Sequence, residues 1–129
     1  MQAYFWIGVG GALGSMARYW CTIVAERFFG ETFPWGTLLI NILGSFVIGL
    51  FVTLTGPGGA YSVDPNVRLF VAVGICGGFT TFSAFSLQTL VLIQEGEWLY
   101  AGAYILASVA ICLFAAWIGY VLAHQFAAP

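Results

Sequence analysis

The residues that could do chemistry in this sequence are polar side chains set inside long apolar runs, and they form four clusters. Arg18 follows Gly10 and Gly14 at four-residue spacing, so the three share one helix face. Its guanidinium can snorkel to a nearby interface, or it can set positive potential at the mouth of an anion route. Thr37, Asn41, Gly44 and Ser45 share a second face. The Asn41 amide brings two N–H donors and an acceptor, suited either to an interhelical hydrogen bond or to a neutral site for an anion. The third cluster, Gly77-Gly78-Phe79-Thr80-Thr81-Phe82-Ser83-Ala84-Phe85-Ser86, is a poor helix centre. It predicts a break in which freed carbonyls can face a cation and the next half-helix N-terminus an anion. Phe82 and Phe85 lie three residues apart on one face, with Ser83 and Ser86 beside them. The rings either pack in a core or turn their electropositive edges toward an anion. Tyr104 and Ser108, four residues apart, make a hydroxyl track or a local helix–helix bond.

The elements that must hold these residues are membrane spans. Of 129 residues, 61% are hydrophobic and 6% charged, whereas soluble domains carry about 25% charged residues. At about 20 apolar residues per crossing, the length allows about four helices and no soluble domain. The expected architecture is one all-α membrane domain over 1–129. Its spans are expected near 3–29, 35–55, 67–94 and 98–126, separated by polar or Gly/Pro-rich turns. Trp6, Trp35, Trp98 and Trp117 fall near the expected span ends, as an interfacial belt requires. No basic n-region precedes the first apolar stretch, so a retained first helix is expected.

Loop arginines are balanced, with Arg27 on one side and Arg68 on the other, so no positive-inside bias sets an orientation. That balance is compatible with insertion both ways and pairing of inverted copies. The net charge of −2 points to neither nucleic acid nor anionic lipid as a partner. Cys21, Cys76 and Cys112 show no disulfide or metal-ligand spacing. No acid, base and nucleophile converge within the spans, so an enzyme is not expected.

Together these segments resemble the Fluc (CrcB-type) fluoride channel family. The resemblance rests on Gly10-xxx-Gly14-xxx-Arg18, on Gly36-Thr37-Leu38-xx-Asn41-xx-Gly44-Ser45-Phe46, and above all on Gly77-Gly78-x-Thr80-Thr81-Phe82-Ser83-x-Phe85-Ser86. It implies a passive fluoride-selective channel in the cell inner (plasma) membrane, working as an antiparallel dual-topology homodimer with two pores. It further implies Phe82 and Phe85 as the pore phenylalanines and Asn41 as a fluoride donor. Ser83, Tyr104 and Ser108 would form the polar track, with Arg18 at the vestibule. Backbone carbonyls of Gly77 and Thr80 would bind a central structural sodium ion. Ala84 stands where the family commonly has a second Thr, and Phe79 where a smaller aliphatic residue is common. A four-span multidrug-type transporter is the alternative, but it typically needs a carboxylate within the membrane. All five acids (Glu26, Glu31, Asp64, Glu95 and Glu97) fall in expected loops or span ends.

Overall fold

The fold was taken from a computed structural model, which describes residues 1–126. Helix α1 (Gln2–Phe29) ends where Gly30 adopts φ 77°, a left-handed conformation open to glycine, and the Gly30 N–H donates to the Glu26 carbonyl. Pro34 then precedes α2 (Trp35–Thr55), which stops at Gly56-Pro57-Gly58-Gly59. Asp64 caps α3 (Pro65–Arg68) by accepting from the Asn66 N–H at 2.7 Å. The chain continues through a π-helix (Leu69–Cys76) and the single turn α4 (Gly77–Phe79). Thr80 and Thr81 are extended, and α5 (Phe82–Gln94) begins after them. A turn over Glu95-Gly96-Glu97 leads to α6 (Trp98–Phe126). The described residues contain no strand.

Three of these helical stretches are long and apolar enough to cross a membrane: Trp35–Thr55, Pro65–Gln94 and Trp98–Phe126. The protein is thus a multi-pass membrane protein with an interrupted third helix. Helix α1 has 28 residues, but its glycines, tyrosines, tryptophans and Arg18 keep it outside that apolar set. The interruption is narrower than the double glycine suggests, because Gly77 and Gly78 keep helical winding and only Thr80–Thr81 are extended.

Two seams hold the bundle together. Helix α2 packs along α6, while α1 packs along the π-helix and α4. At the second seam the backbones touch directly. A Cβ at Gly10 would collide with the Phe70 carbonyl oxygen, and one at Gly14 with that of Ile75. Such small-residue contact lets helices associate where lipid is as apolar as the side chains. The buried core lies toward one end, where Leu38, Phe85, Leu92, Ala101 and Tyr104 meet. Most other large apolar side chains face outward, including Leu13, Leu43, Leu106 and Leu113, as a lipid-facing surface requires.

Candidate functional site

The break and the middle of α2 build the site. Between α4 and α5 the helical ladder loses its register, and hydrocarbon offers nothing to replace it. Asn41 supplies the replacement. Its Oδ1 accepts from the Thr81 N–H at 2.8 Å, and its Nδ2 donates to the Thr81 carbonyl at 3.1 Å. Both backbone groups of the residue in the break are thereby paired through one side chain. An amide has two N–H groups, so one Asn41 donor is still free. Gly44, one turn on, lies against the Thr80 methyl, and a Cβ there would collide with it.

Each half-helix end is finished differently. The Thr81 hydroxyl caps α5 by accepting from the Ala84 N–H at 3.1 Å, and it shares a 3.1 Å hydrogen bond with the Ser83 hydroxyl. On the other side, the Thr80 hydroxyl and N–H both donate to the Cys76 carbonyl, at 2.9 and 3.0 Å. Arg18 reaches across from α1, and its Nε donates to the Gly78 carbonyl at 3.0 Å. Two carbonyls lose their usual helical donors. The Thr81 N–H that would serve Gly77 goes to Asn41, and the Ala84 N–H that would serve Thr80 goes to the Thr81 hydroxyl. The break therefore presents carbonyl oxygens from α4 and the electropositive start of α5 at one point.

A cleft of about 390 Å³ opens beside this point. It is lined by Asn41, Ser45, Gly77, Thr80, Phe82, Phe85 and Ser108, among others, and among the described residues no acidic or basic side chain lines it. Phe82 is 75% exposed and Phe85 only 8%, with ring centroids 5.2 Å apart. The Ser108 hydroxyl is buried and without a hydrogen-bond partner, an arrangement that costs about 1–3 kcal/mol. Ser83 and Tyr104 do not line the cleft. Ser83 sits exposed at the start of α5, while Tyr104 is fully buried behind Phe85, with centroids 5.0 Å apart. Its hydroxyl donates to Gln88 Oε1 at 2.7 Å. Gln88 lines a second cavity of about 410 Å³ together with Thr22, Glu26, Glu31, Thr37 and Glu95. Tyr104 thus joins two spaces rather than lining one.

Gln88 takes part although residue type and spacing did not single it out, and Thr81 and Ser45 stood within their clusters with no role of their own. Thr81 carried a usable signal, a hydroxyl residue three before Ala84 at the start of a helix. Gln88 carried none, since its partner lies on another helix.

The chain can be placed among known proteins. Residues 5–120 match the family described as CrcB-like protein, Camphor Resistance (CrcB). A protein of Methylocella silvestris named fluoride-specific ion channel FluC is 54% identical, over 93% of this chain and 92% of its own length. Proteins of the same name from Opitutus terrae and Rhodospirillum rubrum are 50% and 53% identical. The first alignment covers 95% of this chain and 93% of the relative, the second 93% of each. With the match running through α1, Asn41, the break and Ser108, the chain belongs to the CrcB-like family.

Proposed function

We propose that the protein is a passive fluoride channel of the membrane, not an enzyme, and that the ion passes along the cleft beside the break. The observation that carries this reading is the cleft's lining: neutral donors, an aromatic pair and no formal charge. Moving a bare anion into a low-dielectric interior costs tens of kcal/mol by Born estimates, so its water must be replaced by donors. Conduction also requires release, and neutral groups attract an ion without trapping it. The free Asn41 N–H, the orphaned Ser108 hydroxyl and the edges of Phe82 and Phe85 meet both demands. Ser83 and Tyr104 extend the donor set beyond the cleft, and Arg18 holds α4 in place from the vestibule side. The relatives that match most of the chain carry the name fluoride-specific ion channel. The lack of an acidic lining residue disfavours proton-coupled export of cations.

The working unit in this reading is an antiparallel homodimer, with α1 as the fourth crossing, in the plasma membrane. The outward-facing Phe82 and the open flank of the cleft support a second copy. The balanced loop arginines support its inversion. Sodium fits the break. Gly77 and Thr80 have carbonyl oxygens released from the helical ladder, and hard monovalent cations favour such oxygens. When bound, the ion would supply fixed positive charge beside these carbonyls.

The test is fluoride efflux from proteoliposomes read with a fluoride-selective electrode, with chloride as the comparison ion. Rapid fluoride release with chloride retained is expected; folded protein that releases neither overturns the reading. Labelling of a C-terminal cysteine from both faces of the vesicle is expected for inverted copies, and one-sided labelling excludes them.

A further inference from the structure

At the end of the bundle away from Glu31 and Glu95, three helices converge on a small pocket with one cationic side chain in a largely apolar lining. Its volume is about 270 Å³, and its lining includes Gly58, Gly59, Arg68, Tyr120 and His124. We infer that this pocket is a binding site for a phosphate group, supplied by the headgroup of an anionic phospholipid. The argument begins with Arg68. Its Nε donates to the Thr55 hydroxyl at 3.2 Å and its Nη2 to the Val52 carbonyl at 3.1 Å. A guanidinium has five N–H donors in a rigid fork, so these two bonds fix its direction and leave three. A fixed fork with spare donors is the geometry that suits phosphate oxygens.

The surroundings remove what would oppose an anion. The end of α2 is the negative end of a helix dipole, but several of its last carbonyls are engaged. Phe51 accepts from the Thr55 hydroxyl, Val52 from Arg68, and Leu54 from the Tyr61 N–H. Among the described residues, no carboxylate lines the pocket. Asp64, four residues before Arg68, accepts from the Asn66 N–H and lines a different cavity. On the far wall, the His124 ring stands edge-on to Tyr120 with centroids 4.4 Å apart. These two add an imidazole N–H and a phenolic O–H to the donors.

Depth identifies the source. The pocket lies where the apolar stretches Trp35–Thr55 and Trp98–Phe126 end and where Pro65–Gln94 begins. Stretches long enough to span the hydrocarbon place their ends at the headgroup level, where lipid phosphates are held at high local concentration.

Purified protein in detergent, titrated with phosphatidylglycerol or chain-matched phosphatidylcholine and read by native mass spectrometry, tests the site. Phosphatidylglycerol should be retained about fivefold more strongly, a single-cation effect. Arg68→Gln and the double variant His124→Ala, Tyr120→Phe should each abolish that preference while fluoride efflux persists. Should Arg68→Gln fail to fold, the double variant decides alone. Inorganic phosphate that displaces the lipid shows the pocket takes the phosphate group from either source; a preference that phosphate leaves intact assigns the site to lipid alone. Equal retention of the two lipids, or a preference the double variant leaves unchanged, overturns the inference.

Discussion

Asn41 does two things with one amide. It closes the backbone where the third helix breaks, and it keeps one N–H for the cleft. Asn41→Ala strips the partners from two backbone groups at once. It should destabilise the fold by about 2–4 kcal/mol, read as a lower thermal midpoint in detergent, and should abolish efflux. Ser108 predicts the opposite pairing of effects. Its hydroxyl is buried without a partner, so Ser108→Ala should leave stability unchanged or raise it by about 1 kcal/mol. The same variant should slow fluoride efflux, because the removed group is one that only an ion would use. Equal losses of stability and flux would mark it as an ordinary packing residue.

The seam between α1 and the π-helix sets where the break sits, because α1 carries both the glycines that admit the backbone and the Arg18 that holds Gly78. Gly14→Val should therefore push the π-helix away from α1, lower the thermal midpoint and reduce efflux together; unchanged flux in a folded variant would separate the seam from the break. The elements themselves were largely readable. Trp35 and Thr55 bound a run with a proline before it and Gly-Pro-Gly-Gly after it, and α2 occupies that run. The break was readable because Gly77-Gly78 and Thr80-Thr81 disfavour a helix together, although the glycines alone do not unwind it. The π winding was not readable. Leu69 to Cys76 is apolar or glycine throughout, so no polar face marks its period. Nor was the partner of Arg18 readable, since Gly78 lies 60 residues away and is reached only after the helices pack. Asn41 stood out as a polar residue in an apolar run, but its bonds to Thr81 depend on a backbone geometry that exists only after the break forms.

At the scale of the molecule, the cleft is open on one flank, and a phenylalanine 75% exposed stands beside a buried one. In the inverted pair proposed above, the released carbonyls of Gly77 and Thr80 would be the groups to hold a cation. Exchange of sodium for a bulky organic cation should then lower the thermal midpoint of the dimer and favour monomers in cross-linking. A dimer indifferent to the cation would remove sodium from the scheme. The π-helix bears on something else, the tolerance of the gene to a change in length. Its turns close five residues apart rather than four, so Leu69–Cys76 stores slack. Deleting a single codon within it, for instance that of Val71, should let a wide turn tighten to α winding and leave the register beyond Cys76 intact. The same deletion in α6, which has no such turn, should rotate every following residue by about 100° and abolish folding. Expression and thermal midpoints of the two shortened proteins would measure the slack.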